Sequence, residues 1–296
     1  MTALPTTVVR AGRRRSRRAG GVTSRVGGIA AHIAAVVVLV VMLFPVYWAV
    51  STSFKRGLDM NRITPLWFPI PGTLQHYRDA WHKEFFLSSL KNSAIVVASV
   101  VVISIAVAFL AAIAIARTRF RGRKAYIVLI MGIQMIPQIA LILPLFVMLS
   151  YVHKQNTVVG LTFTYLAFIL PFSIWTLRGF VANIPVDLEE AAMIDGCSRP
   201  GAFLRVTFPL IAPGLVATAI FAFIQSFNEF LFAYVIMQDN NKWTASVWLE
   251  SFLTQQQIDW GGLMAGATML SIPIVIGFLL VQRYVAVGLT AGAVKG

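Results

Sequence analysis

The chain has 296 residues, of which 58% are hydrophobic, 12% aromatic and only 12% charged, and its mean hydropathy is +0.77. These proportions exclude a soluble globular domain and a disordered chain, and they fit a polytopic membrane protein. The formal net charge of +14 reads as membrane topology and contact with anionic headgroups, because no polar folded module that would bind nucleic acid accompanies it.

Residues 1–28, with "RAGRRRSRRAG" at 10–20, read as a flexible basic cytoplasmic tail ahead of a six-span domain over 29–296. A spanning helix needs about 20 apolar residues. Six segments meet that need, at about 29–54, 92–116, 125–152, 156–177, 207–238 and 261–282. All six lack Asp, Glu, Lys and Arg except for Glu229 in the fifth. Runs such as "SAIVVASVVVISIAVAFLAAIAIA" (93–116) are apolar on every side, so the spans are helices and not alternating barrel strands. The fold class expected is all-α. A signal peptide ending near "AVS" (49–51) is the alternative for the first segment, but its apolar run is about twice the usual length and reads as a retained span. Pro45, Pro137, Pro144, Pro171 and Pro273 fall inside spans, where proline frees a carbonyl and bends the axis, which points to kinked helices around a cavity. With both termini inside, 17 of the 25 basic residues lie on the cytoplasmic side, as the positive-inside rule asks.

The long outer loop, 55–91, carries "WFPIPGTLQHYRDAWHKEFFLSSLKNS" (67–93) and reads as a short interfacial helix capped by Thr73. It either caps the bundle or offers a platform to an extracytoplasmic partner, and the two roles are compatible. In "GIQMIPQIALILP", Gln134 and Gln138 flank Pro137 one helical turn apart.

The loop at 183–209 is the most acidic part of the chain: Asp187, Glu189, Glu190 and Asp195 supply four of the 11 acids. "DLEE" has capping-box spacing, and acids suit the positive end of a helix. A short helix is expected to start at Asp187 and stop at Gly196, with Leu188, Ala191, Ala192 and Ile194 giving it an apolar or small surface. Ser198, Arg199 and Pro200 restart a helix, and Pro209 marks entry into the fifth span. Such a helix either lies on the membrane surface or docks into a groove.

In "AFIQSFNEFLFAYV" (222–235), Glu229 is an acid within a span, with Gln225 one turn before it and Asn228 adjoining. An intramembrane acid costs about 2.5–3.5 kcal/mol on insertion scales and marks a functional site by default. Helical spacing puts the three on one face, serving either as a hydrogen-bond clamp between helices or as the lining of a solute path. Enzymatic patterns are missing. His32, His76, His82 and His153 are scattered, Cys197 stands alone, and no Gly-Lys pair exists for a phosphate-binding loop.

"EAAMIDGCSRPGAFLRVTFP" (190–209) resembles the EAA loop of ABC importer permeases, with Glu190, Ala191, Ala192, Gly196 and Pro209 matching and Val206 and Phe208 departing mildly. "TLQHYRDAW", "SFNEFLFA" (226–233) and "QRYVAVGLTAGAVKG" (282–296) are similar to the carbohydrate-uptake permeases of the maltose type. The resemblance covers residues 30–296. It implies a multi-pass permease in a bacterial plasma membrane, forming half of a sugar path, with Gln225, Asn228, Glu229, Gln134 and Gln138 as candidate path residues. It also implies a coupling helix in which Asp187, Leu188, Glu190, Ala191, Ala192, Gly196 and Pro209 serve the ATPase contact. The partners implied are a second homologous permease, two cytoplasmic ATPase subunits that hold ATP and Mg, and an extracytoplasmic solute-binding protein. This chain itself is expected to be no enzyme and to hold no metal, cofactor or nucleic acid. A glycerophosphodiester permease and a secondary transporter are the alternatives.

Overall fold

The computed structural model describes the backbone of residues 23–60, 62–254 and 258–293, and the side chains within these except 23–28, 30 and 280–293. The basic tail over 1–22 and the last three residues lie outside the described residues, as do the side chains of the 282–296 motif. Two compact units are distinguished, residues 1–48 and 49–296. Helix α1 (Thr23–Ser53) supplies the described part of the first unit up to Trp48; it runs through Pro45 without a break and exposes apolar side chains on all sides from Ile33 to Val46. A helix apolar all round is built for hydrocarbon or partner helices.

The second unit is helical, with α2 (Gln75–His82), α3 (Phe86–Arg117), α4 (Arg123–Ile133), α5 (Ile142–Tyr151), α6 (Val158–Ala182), α7 (Asp187–Ile194), α8 (Phe208–Asn228), α9 (Leu231–Ile236) and α10 (Trp260–Ala293). Among the described residues five helices are long and apolar enough to cross a membrane, and a bent pair makes a sixth if it counts as one span. That pair is the expected third span, 125–152. It is not one helix. α4 stops at Ile133, Pro137 sits in extended backbone, a 3-10 turn covers Gln138–Leu141, and the axis turns by 94° before α5. Pro137 cannot donate to the ladder and forces its predecessor out of the helical region, which explains the stop. Pro144 bends nothing, because it falls in the first turn of α5 where a missing N–H has no partner to lose. Pro171 and Pro273 are housed inside α6 and α10.

The centre of the unit is the pair α3 and α6. On α3, Ser89, Ser93, Val96, Val100, Ser104, Ala108, Ala112 and Ile115 recur every three or four residues and are buried. Small residues at that spacing let a neighbouring helix approach closely, which is how helices associate without a hydrophobic drive. Ser89 Oγ donates to Phe86 O at 2.8 Å and Ser104 Oγ to Val101 O at 3.1 Å within the helix, whereas Ser93 Oγ accepts from the Ala245 N–H at 2.7 Å. α8 packs against both helices. At Gly214 any Cβ would overlap the Phe180 ring at 2.4 Å, so glycine is needed there for close contact between α8 and α6.

The outer loop closes one end of this bundle. α2 begins at Gln75, slightly later than expected, and Thr73 Oγ1 accepts from the Gln75 N–H at 3.1 Å without being the N-cap. His76 Nε2 meets Lys55 O at 2.9 Å and Ser53 Oγ meets Tyr77 Oη at 2.7 Å. Lys55 itself is buried, which lowers its ammonium below the ordinary lysine range. The segment 240–252, made of short helical turns, completes the lid: Trp248 is fully buried, and its Nε1 donates to Glu84 O at 3.0 Å. The interfacial helix is therefore part of a folded cap, packed with Phe86, Trp248, Phe252 and Ala265 in one apolar cluster.

Candidate functional site

Two places gather the residues that stand out in the sequence. The first is a cavity of about 360 Å³ between α4, the Pro137 break, α6, α8 and the start of α9. Gln134, Gln138, Gln225 and Glu229 line it together with Tyr165, Phe168, Phe172, Trp175, Phe221 and Phe232. Asn228 is not among the lining residues and is exposed.

The expected helical face of Gln225, Asn228 and Glu229 does not form. α8 ends at Asn228, and Glu229 has extended backbone with ψ of 126°. The Glu229 side chain turns toward the next helix instead. Its Oε1 accepts from the Phe232 N–H at 2.8 Å and its Oε2 from the Ala233 N–H at 3.1 Å, so it caps the open N-terminus of α9. Ser246 Oγ donates to the Glu229 carbonyl at 2.6 Å and fixes the joint from the other side. Hydrogen bonds to a charged group contribute roughly 1.5–3 kcal/mol each. Two of them offset an insertion cost of about 2.5–3.5 kcal/mol. A break in the fifth span and the acid inside it are thus one feature: the carboxylate satisfies the donors that the break exposes.

Gln134 and Gln138 also differ from expectation. They lie on either side of the bend and reach the cavity from two segments, not from one turn of one helix. Gln134 Nε2 donates to Phe168 O at 3.3 Å. The aromatic lining has its own rule: Phe168, Phe172 and Trp175 repeat at four and three residues on α6, and Phe221 and Gln225 repeat at four on α8. That spacing was present in the sequence, and the helical period would have found it. Phe172 and Phe221 pack with ring centres 3.9 Å apart, and the Arg178 guanidinium sits 5.3 Å from the Trp175 ring. The Tyr165 hydroxyl is buried beside Glu229 and has no hydrogen-bond partner of ordinary geometry. The cavity thus offers amide and hydroxyl groups, one carboxylate and ring faces, and no lining side chain is basic.

The second place is the loop at 183–209. α7 starts at Asp187 as expected, but the capping box does not form: the N-cap is Val186, and no side chain caps the helix. The first turn is closed by backbone bonds, Glu189 N to Val186 O at 2.9 Å and Glu190 N to Val186 O at 3.1 Å. The far end is built as expected at Gly196, whose φ is +93°. Cys197 N donates to Ala192 O at 3.0 Å and Gly196 N to Met193 O at 3.1 Å, the paired bonds of a Schellman stop. A Cβ at Gly196 would meet nothing within 4 Å, so the backbone angle alone demands glycine here. Ser198 Oγ then accepts from the Gly201 N–H at 3.3 Å to open the turn Arg199–Ala202. A π-helical turn, Phe203–Thr207, leads into α8 one residue before Pro209.

α7 has no buried residue. Asp187, Leu188, Glu190 and Ala191 are exposed, Ala192 is half-buried, and Ile194 is 86% exposed. The acid not singled out beforehand, Glu189, is the one turned inward. Its Oε1 lies 2.9 Å from Arg117 Nη2 and accepts from Thr207 Oγ1 at 2.7 Å. Glu189, Arg117 and Thr207 are far apart in sequence, and no local pattern links them. Among the described residues no group of three or more His, Cys, Asp or Glu side chains is placed to hold a metal ion.

Comparison with known proteins agrees with this architecture. Residues 104–290 match the family model described as the binding-protein-dependent transport system inner membrane component. The diacetylchitobiose uptake system permease protein of Streptomyces coelicolor is 42% identical over 270 residues, covering 91% of this chain and 98% of the relative. The trehalose/maltose transport system permease protein of Thermococcus litoralis is 37% identical and covers 89% and 95%. The trehalose transport system permease protein of Mycobacterium tuberculosis, also 37% identical, covers 86% and 93%. In fold, the chain superposes on a bacterial ABC transporter involved in import of the acidic polysaccharide alginate, with a TM-score of 0.75 at 21% identity over 89% of this chain and 98% of that one. Multi-pass helices broken around a cavity, an exposed short helix between two spans and a match over most of the chain lead to one conclusion: this protein belongs to the family of binding-protein-dependent transport system inner membrane components and is a permease component, not an enzyme.

Proposed function

We propose that this chain is the permease subunit of an ATP-driven importer of an uncharged sugar, forming half of the translocation path over residues 29–296 in a bacterial plasma membrane. The cavity carries the sugar reading. Its volume of about 360 Å³ lies within the range of small-molecule sites, roughly 300–1,000 Å³. Ring faces at Trp175, Phe172 and Phe221 suit the C–H faces of a pyranose, and Gln134, Gln138 and Gln225 offer donors and acceptors for hydroxyls. A lining with Glu229 and no basic side chain opposes an anion, which speaks against a glycerophosphodiester. The named relatives that handle diacetylchitobiose, trehalose and maltose support the same class.

The remaining parts follow from the family. α7 is the coupling helix: Leu188, Ile194, Ala191 and Glu190 face outward and fit a groove on a cytoplasmic ATPase subunit, with Asp187 at its head, Gly196 ending it and Pro209 starting the next span. A homologous permease completes the open cavity, two ATPase subunits hold ATP and Mg, and a solute-binding protein delivers sugar to the opposite face, where Trp67 and Trp81 are exposed. The basic residues at 10–25 and 117–124 support a cytoplasmic position for both termini and α7. Purification of the tagged full chain in mild detergent tests the assembly. An ATPase subunit and a second permease are expected to accompany it, and I194D is expected to release the ATPase. Purification of the chain alone under conditions that preserve the membrane complex would refute it.

A further inference from the structure

We infer that Arg117, Glu189 and Thr207 form a half-buried polar joint that carries movement of α7 into two spans at once. The inference rests on the reading of α7 as the coupling helix. α7 buries none of its own side chains and is tied to the chain by turns at either end, so backbone connection alone would let it swing. The joint removes that freedom. Arg117 is the last residue of α3, Glu189 lies in the first turn of α7, and Thr207 is the last residue of the π-helical turn that feeds α8.

The geometry is specific. One oxygen, Glu189 Oε1, receives both the Arg117 Nη2 charge at 2.9 Å and the Thr207 Oγ1 proton at 2.7 Å. Arg117 Nη1 also donates to Ile184 O at 3.0 Å, in the turn between α6 and α7, so the guanidinium bridges that turn as well. The Arg117 and Glu189 side chains are 14% and 20% exposed, and Thr207 is fully buried. At that burial the pair is weakly screened and costly to separate. The ion pairs Arg62–Asp59 and Lys242–Asp239 are local i,i+3 contacts, whereas this one joins residues 72 apart in sequence. The joint also lies at the end of a π-helical turn, Phe203–Thr207, a rare geometry that is frequent at functional sites. Glu189 is thus a positioning residue. The exposed acid Glu190 meets the partner, and its inward-turned neighbour Glu189 transmits what the partner does.

The test uses the complete transporter, with its ATPases and receptor, in proteoliposomes, and reads solute moved per ATP hydrolysed. E189Q and T207V are expected to lower that ratio by about threefold or more while the ATPase still co-purifies. E189D is expected to recover part of the loss. R117Q combined with E189Q is expected to cost less than the sum of the two single changes, because each of them already removes the Arg117–Glu189 pair. An unchanged ratio in both E189Q and T207V, or additive losses in the double variant, would overturn the inference. Should E189Q fail to assemble, T207V decides alone. I194D separates the two levels: if it leaves ATPase binding intact, the docking reading fails, and if it releases the ATPase while E189Q keeps the ratio, only the joint fails.

Discussion

Glu229 shows how one residue can be conspicuous in sequence and still be misplaced by it. Its charge inside an apolar segment was legible, and so was its company with Gln225. The break of α8 at Asn228 was not, because no proline or glycine marks it; the break is held by Glu229's own bonds to the Phe232 and Ala233 N–H groups. E229A leaves both donors unsatisfied and is expected to destabilise the protein by roughly 2–4 kcal/mol, read as a lower unfolding temperature in detergent. E229Q keeps one acceptor and is expected to lose about half as much. Equal losses for the two variants would mean that the charge, and not the cap, is what matters. Gly196 allows a similar contrast. Its φ of +93° and open surroundings predict that G196A costs about 1–2 kcal/mol through backbone strain, and that G196N costs less. Amide exchange over α7 would register both.

At the scale of elements, the long apolar helices were readable because hydrocarbon demands length and hydropathy and little else. The exceptions are the elements that bend. Pro137 announced a kink, yet a 94° turn with a 3-10 segment needed the neighbouring helices to shelter its open backbone groups. α7 was bounded correctly by Asp187 and Gly196, whereas its capping box failed because Val186 and Pro185 already close the first turn. The inward turn of Glu189 could not be read locally, since its partners come from α3 and the entry to α8. On α6, the ring series Phe168, Phe172 and Trp175 presents one wall of the cavity. W175A is expected to weaken sugar uptake by raising the half-saturating concentration about three- to tenfold, as loss of an aromatic contact worth about 0.5–1.5 kcal/mol requires. ATPase co-purification is expected to stay normal, which keeps this wall distinct from α7.

For the whole molecule, the arrangement divides labour along the chain. Trp248 and the outer helical turns build a cap, broken helices enclose a polar and aromatic cavity, and an exposed helix stands between the fourth and fifth crossings. On the proposed reading, energy enters through α7 from the ATPase and leaves as a change in the cavity. Uptake of a labelled disaccharide such as trehalose or maltose into proteoliposomes holding the complete transporter measures that link directly. Accumulation is expected only with ATP on the ATPase side and the solute-binding protein on the other, and it is expected to persist when an uncoupler collapses the proton gradient. Uptake that continues without ATP and stops with the uncoupler would contradict the account and identify a secondary transporter.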